Sequence, residues 1–250
     1  MIKEKTMEAK NNKLECESCV SRLKGVFCEL GQDQLSPVSK QKVTNVYKKG
    51  QSLFVEGNHP NGIFCISTGN IKLTEQGNDG KETLIRIATK GDILGHRSLF
   101  SDQEYRATAT AMEDTRACFI DKSFIIGLIK DEPSVALKVI EKLSKDMGAA
   151  EHRLNSMHTR NVRERLAELL LLLKESHGVV EGNRIKIDLR LTREEMSTMI
   201  GTAPETLIRF ISEFKEAGLI EQEGKTIFVT NESKSVSYTH LRAHETRHDL

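Results

Sequence analysis

The chain has 250 residues, with 38% hydrophobic and 29% charged side chains. That is enough apolar material to bury a core and excludes wholesale disorder. Formal net charge is +1, so charge alone does not mark a nucleic-acid binder. The longest apolar run, residues 169–173, falls far short of the roughly 18–20 residues that span a bilayer, so no membrane association is expected.

Residues 1–30 read as an N-terminal cysteine-bearing segment. Its first thirteen residues are polar and lysine-rich, without the apolar stretch of a signal peptide, and the chain reads as cytoplasmic. Cys16, Cys19 and Cys28 follow. In a cytoplasmic chain with five cysteines, an odd number, the options are metal, redox chemistry or plain burial rather than a disulfide framework. Residues 31–42 read as a short polar segment around Pro37.

Residues 31–133 read as a sensor domain. From Val43 onward, short alternating runs at 52–55, 63–67, 71–74, 83–88 and 117–120 are separated by glycines. This texture predicts an antiparallel β-sandwich or roll. Residues 134–160 change to helical periodicity. Ile140, Met147 and Leu154 recur every seven residues, and Leu143, Ala150 and Met157 form a second series offset by three. That narrow seam predicts a helix pairing with its copy in a homodimer. Otherwise it is the inner stripe of an ordinary amphipathic helix.

Residues 161–234 read as a DNA-binding domain. It opens with a helix over 161–177, with Gly178 at the expected cap, and a short strand at 185–189. Thr192-Arg-Glu-Glu195 forms a capping box, in which the threonine oxygen accepts a free helix N–H and the glutamate reaches back. A helix to Ile200, a turn at Gly201, and a second box at Thr202-Ala-Pro-Glu205 with Pro204 in the first turn predict a helix-turn-helix. Met196, Ile200, Leu207 and Phe210 should pack between its helices. Two β runs around Gly224 make a wing.

The second helix should enter the major groove of double-stranded DNA by its N-terminus. Arg209 suits guanine O6/N7 and Glu205 suits cytosine N4. Thr202 and Thr206 suit phosphates, and Ile208 faces outward beside them. The plain alternative is a helical hairpin with solvated charges. Residues 235–250 are polar and aperiodic, with His240, His244 and His248 four apart. The stretch resembles translated adaptor sequence and reads as a non-native tail.

The order β-roll, long helix, winged helix-turn-helix resembles the Crp–Fnr family of bacterial transcription regulators. The resemblance covers about residues 14–231. It is carried by Lys49-Gly-Gln-Ser-Leu-Phe-Val-Glu-Gly57, Ser67-Thr-Gly69, Gly91-Asp-Ile-Leu-Gly95, Arg163-Glu-Arg-Leu-Ala-Glu168 and Glu205-Thr-Leu-Ile-Arg209. It implies an α+β chain: an antiparallel β-roll like a cyclic-nucleotide-binding jelly roll, a dimerisation helix and a winged helix-turn-helix. It also implies a homodimer that binds a pseudo-palindromic operator and contacts RNA polymerase. Members with Glu-x-x-Ser-Arg on the recognition helix favour a TTGAT-type half-site; here Ile208 replaces that serine, which removes a polar contact.

Cyclic-AMP-binding members carry a glutamate and an Arg-Ser pair after Gly-Asp-x-x-Gly. Here the glutamate position is His96, Tyr105-Arg106 stands near the place of the pair, and Arg97-Ser98 comes too early. No cyclic AMP binding is expected, because a cyclic phosphate needs an arginine fork, and His96 reads as a polar loop residue. The cysteines instead resemble the oxygen-sensing Fnr branch, which holds a [4Fe–4S] cluster on three N-terminal cysteines and one on the roll. The resemblance assigns Cys16, Cys19, Cys28 and Cys118 as ligands. The gap from Cys19 to Cys28 is longer than in the best-known members. Cys65 reads as a structural bystander. Structural thiols, a redox dithiol or a zinc site remain alternatives for the other four.

No nucleophile elbow, phosphate-cradling glycine loop or zinc-protease motif points to an enzyme. A cupin-like binder would need clustered histidines on the strands, where only His59 and His96 fall nearby.

Overall fold

A computed structural model describes residues 15–77 and 80–230. The tail at 235–250 and its three histidines therefore lie outside the described residues. The described residues form two compact units: 15–75 with 86–145, and 76–85 with 146–230. Among them no helix is long and apolar enough to cross a membrane.

The first unit is built on β1 (Val43–Tyr47), β2 (Ser52–Phe54), β3 (Gly62–Thr68), β4 (Ile71–Gln76), β5 (Glu82–Ala88), β6 (Ile93–Leu94), β7 (Thr108–Ala111) and β8 (Thr115–Asp121). They form two four-stranded sheets in the orders β1-β8-β3-β6 and β2-β7-β4-β5, the expected antiparallel roll. The turn end of the β4–β5 hairpin belongs to the second unit. On β3 and β8, Ile63 and Ile120 are buried in one apolar cluster and Phe64 and Ile66 in another, so alternate side chains send both faces of this sheet into a core. Register is fixed on both sides of β8: Thr44 lies opposite Cys118 across β1, and Cys65 lies opposite Cys118 across β3.

The N-terminal segment is part of this fold. A 3-10 turn at Val20–Lys24 leads to buried Val26, Phe27 and Leu30. Residues expected as a polar segment form a helix instead, α1 (Gln32–Gln41), which buries Leu35 and Val38 on the roll and carries Pro37 within it. Burial of that apolar pair outweighs the ladder bond that proline cannot make. The Ser21 hydroxyl donates to the Ser67 carbonyl of β3 at 2.6 Å. Gly91, at φ +92°, lets the turn come close: a Cβ there would stand 2.8 Å from the Lys24 Cβ and 3.1 Å from the Ser21 oxygen.

Helices α2 (His96–Ser101) and α3 (Lys122–Asp131) complete the roll. His96 is a buried residue opening α2, not a loop residue. The long helix α4 (Pro133–Thr159) anchors its first turns through buried Val135 and Val139. Two ion pairs also hold it: Lys138 with Glu29 at 2.9 Å and Lys142 with Asp92 at 2.8 Å.

The second unit contains α5 (Val162–His177), β9 (Gly178–Glu181), β10 (Arg184–Ile187), α6 (Arg193–Ile200), α7 (Pro204–Glu216), β11 (Ile220–Glu223) and β12 (Thr226–Val229). Asn161 and Glu164 cap α5 reciprocally, and Leu166, Leu169, Leu170 and Leu173 are buried. Gly178 occupies the cap position in an extended conformation, so α5 runs straight into β9 rather than ending on a left-handed cap. The strands form one sheet, β11-β12-β10-β9. Arg153 of α4 donates to the carbonyls of Ile85, Leu84 and Met199, the last at 3.0 Å. In this way it ties the hairpin tip and α6 to the helix.

The close seat of the N-terminal turn on Gly91 yields a test. Gly91→Ala adds left-handed strain and a contact that backbone must relieve, costing about 1–3 kcal/mol. Urea unfolding should show a lower midpoint with an unchanged slope.

Candidate nucleic-acid interface and thiol-lined cavity

The helix-turn-helix is assembled by caps and buried apolar contacts. Thr192 Oγ1 accepts from the Glu195 N–H at 3.0 Å, and the Glu195 carboxylate accepts from the Thr192 N–H at 2.9 Å. Gly201 adopts φ +63°, the left-handed conformation that ends α6. The Thr202 N–H donates to the Ser197 carbonyl at 3.0 Å, completing the closure. This overturns the expected second capping box: Ala203, not Thr202, is the N-cap of α7, with no side-chain cap. Thr202 is committed to the end of the preceding helix, and Pro204 starts α7 one residue later.

Along α7, Leu207, Ile211 and Phe214 are buried with Met196 and Ile200 of α6. Phe210, expected between the helices, is only half-buried; its ring lies 5.4 Å from the Arg163 guanidinium and 5.0 Å from that of Arg209. The face left to solvent carries Glu205, Ile208 (50% exposed) and Arg209, with Thr206 and Thr202 partly exposed beside it. All five residues proposed for DNA thus lie on or next to the N-terminal half of one helix.

The supporting arginines were not singled out by sequence reading, although the motif containing them was. Arg165 donates to the carbonyls of Arg160 at 2.6 Å, Ile200 at 2.7 Å and Gly201 at 3.3 Å, so it holds the turn itself. Arg163 pairs with Glu213 on α7. Glu168 accepts from Ser156 at 2.6 Å and pairs with Arg160 at 3.2 Å. In the wing sheet, Arg184 stacks 3.8 Å over the Phe228 ring and pairs with Glu221 and Glu223, each at 2.7 Å. The four-strand sheet includes β9, which is exposed throughout and so left no periodicity to read.

On α4, Ile140, Met147 and Leu154 are 57%, 62% and 60% exposed. Ala150 and Met157 are exposed as well. Leu143 is half-buried against the roll's core. Leu137, also exposed, stands three residues before Ile140 and extends the stripe, though sequence reading left it out.

The cysteines gather at the other functional region. Cys16, Cys19, Cys65 and Cys118 line one cavity of about 50 Å³ between the N-terminal segment and the sheet. Cys28 is not among its lining residues. The rest of the wall is mainly apolar, including Val26, Phe27, Val38, Ile93 and Ile120, and Lys42 and Arg22 also line it. The Cys16 N–H donates to Ser39 Oγ at 3.0 Å, and Thr44 Oγ1 lies 3.5 Å from Cys118 Sγ. Burial pushes the Cys16 thiol above its ordinary value, opposed by the neighbouring Lys42 ammonium. The Cys65 thiol is pushed strongly up, first by burial and then by Cys118, Cys16 and Cys19. Arg22 donates to the Phe27 and Cys28 carbonyls, yet its Nε is buried without a hydrogen-bond partner. Among the described residues no three His, Cys, Asp or Glu side chains stand in a group that could hold a metal. Near the position where cyclic-AMP-binding members carry their effector residues, Tyr105 is buried and stacked on Phe54 with ring centroids 3.9 Å apart, and Arg106 is exposed.

Comparison with known proteins agrees with this architecture. Residues 44–132 match the cyclic nucleotide-binding domain family and residues 164–234 the Crp-like helix-turn-helix domain family. The chain is 25% identical over 210 residues to a CRP-like cAMP-activated global transcriptional regulator of Mycobacterium tuberculosis, covering 84% of this chain and 94% of that protein. It is 26% identical over 219 residues to the transcriptional activator protein FnrL of Cereibacter sphaeroides, covering 84% of this chain and 85% of that protein. The fold is similar to that of a CooA mutant from Carboxydothermus hydrogenoformans, with a TM-score of 0.68, 24% identity, and coverage of 81% of this chain and 90% of that chain. With a cyclic-nucleotide-binding-type roll, a long helix and a Crp-like helix-turn-helix in that order, the chain belongs to the Crp–Fnr family of DNA-binding transcription regulators.

Proposed function

We propose that this regulator is a cytoplasmic homodimer that reads DNA through α7 and responds to oxygen through a cysteine-held iron–sulfur cluster. The observation that carries the sensing part is the shared cavity: Cys16, Cys19 and Cys118, three of the four cysteines assigned by family resemblance, line it. Among the described residues these thiols do not stand in a group that could hold a metal, so the reading rests on their shared cavity and on the family resemblance. A mainly apolar wall that includes Lys42 and Arg22 suits an assembly made net anionic by four thiolates. Cys28, the fourth of the assigned set, fits less well, because it does not line the cavity.

When bound, such a cluster supplies an oxygen-labile link between the N-terminal segment and the roll. The remaining steps belong to the chain's own residues. The Cys16 thiol, pushed up by burial, must give up its proton to solvent on loading. With the segment docked, Glu29 pairs with Lys138, and Asp92, next to Gly91, pairs with Lys142. Both lysines lie on α4, so the docked segment favours one placement of that helix. Pairing of two α4 helices would cover Ile140, Leu143, Met147, Ala150, Leu154 and Met157. It would also set two α7 helices about one DNA turn, ~34 Å, apart. Release of the segment weakens this placement, a population shift that needs a difference in free energy between the two states. RNA polymerase is the expected partner on DNA.

A second reading keeps the DNA interface and replaces the effector with a cyclic nucleotide, as the name of the Mycobacterium tuberculosis relative states for that protein. Tyr105 stacked on Phe54 and an exposed Arg106 disfavour it, since a cyclic phosphate wants a fixed arginine fork.

Three outcomes test these readings. Protein purified without oxygen should carry iron and acid-labile sulfide and should shift operator DNA in a gel. Brief exposure to air should weaken that shift, while added cyclic AMP should leave it unchanged; colourless, iron-free protein would sink the oxygen reading. Met147→Asp should weaken dimerisation at least tenfold in sedimentation, because a charge replaces a side chain whose burial contributes about 1.5–3 kcal/mol. Arg209→Ala should cost about 1–3 kcal/mol of operator affinity and relax preference at one base pair; an unchanged footprint counts against Arg209 as a base reader.

A further inference from the structure

We propose that Cys65 and Cys118 are a peroxide-oxidisable pair that closes to a reversible cross-strand disulfide in the metal-free chain. The bridge needs two sulfurs and no metal, so it stands whether or not the chain carries a cluster.

The sheet supplies the geometry. Cys65 on β3 lies directly opposite Cys118 on β8, and both are free thiols. Directly opposed residues of antiparallel strands have Cα atoms ~4.5–5.5 Å apart, inside the ~4.4–6.8 Å that a disulfide spans. Their side chains share one face, and both cysteines line the cavity under the N-terminal turn. The Cβ atoms of such a pair stand ~4.5–5.5 Å apart and must draw slightly closer to reach the ~3.5–4.5 Å of a bridge. The strand has play at that point, because the β3–β8 register shifts between Ile66 and Thr68, immediately after Cys65. The other cysteines are placed differently. Cys28 does not line the cavity, and Cys16 and Cys19 sit in a turn closed by the Cys19 N–H on the Cys16 carbonyl at 3.2 Å. Only Cys65 and Cys118 are set face to face by sheet register.

The surroundings suit thiol oxidation. Lys42 and Arg22 line the same cavity, and cations beside a sulfur favour the thiolate that attacks an oxidant. The cavity of about 50 Å³ has room for an oxidant as small as hydrogen peroxide. Cys118, with Thr44 Oγ1 3.5 Å from its sulfur, reacts first. It gives up its proton and its sulfur attacks the peroxide: an S–O bond forms, the O–O bond breaks, and the departing hydroxide takes the proton and leaves as water. The Cys65 sulfur then attacks the Cys118 sulfenic acid: the S–S bond forms, the S–O bond breaks, and the Cys65 proton leaves with that hydroxide as a second water. The two sulfurs lose two electrons in all, and the peroxide gains them. A dithiol reductant reopens the bridge by exchange. The bridge closes a long loop, from β3 round to β8, and so also stabilises the roll.

The test uses the full chain, stripped of metal with a chelator, fully reduced and then treated with hydrogen peroxide. Remaining thiols are blocked with iodoacetamide after unfolding, and the digested chain is mapped by mass spectrometry. The expected result is a peptide pair linked through Cys65 and Cys118 as the main cross-link, lost on treatment with dithiothreitol. Peroxide should also raise the urea midpoint of the wild type, reversibly by the same reductant, and leave that of Cys65→Ser unchanged. The wild-type map decides the matter on its own if Cys65→Ser does not fold. A treated wild type in which Cys65 and Cys118 both take iodoacetamide or end as sulfinic acids, or in which the main link runs through Cys16, Cys19 or Cys28, overturns the pairing. The measurement is blind to iron, so a chain that takes up no cluster leaves the pairing standing, and failure of the pairing leaves the cluster reading untouched.

Discussion

The antiparallel pairing of β3 with β8 is the constraint on which the sensor unit depends. Side chains alternate along a strand, so a slip of one residue would send Cys65 or Cys118 to the opposite face. The register is held by what surrounds it. Ile63 and Ile120, directly opposed like the two cysteines, are buried in the main core of this unit, and so are Leu35 and Val38 of α1. The apolar residues that fix the sheet therefore also fix the thiols. The N-terminal segment is seated on the same face by the Ser21–Ser67 hydrogen bond and by the room left at Gly91.

The long helix couples chemistry to packing by a different means. Its first turns are committed to the roll through Val135 and Val139, while Leu137, Ile140, Met147 and Leu154 remain exposed. Such a row of large apolar groups is costly to leave in water. Burial against a second helix returns that free energy only if the helix is held at the right angle and rotation. Lys138 and Lys142 reach back to Glu29 and Asp92. Ion pairs of this kind contribute modestly by themselves, but the first connects α4 to the segment that carries the cysteines and the second connects it to the turn before β6.

Much of this was legible in the sequence where the governing interactions are local. The Thr192 capping box, the turn glycine and the two-strand wing depend on residues a few positions apart, and they stand in the fold where the sequence places them. Local patterns misled where two uses of one residue compete. Thr202-Ala-Pro-Glu205 has the letters of a cap, but the Thr202 N–H is taken by the closure of α6, so α7 begins from Ala203. The 31–42 stretch looked polar because Leu35 and Val38 are its only buried apolar residues, and the third buried position is Ser39. Strand β9 was invisible because no side chain on it is buried. The place of Cys65 was beyond local reading altogether: its neighbours Cys16, Cys19 and Cys118 are dozens of positions away, and only sheet register and the docking of the first thirty residues bring them together.

The turn of the helix-turn-helix has a consequence of its own. Arg165 binds three carbonyls around Gly201 and Ile200, and Arg163 braces α7 through Glu213. The reading head is thus assembled before any DNA arrives, and ordering it takes nothing from the free energy of recognition. A rigid head cannot shift to accommodate a wrong base pair, so the full penalty of a mismatch falls on the complex. Discrimination between operators then depends also on two arginines that hold the reading head through protein contacts alone.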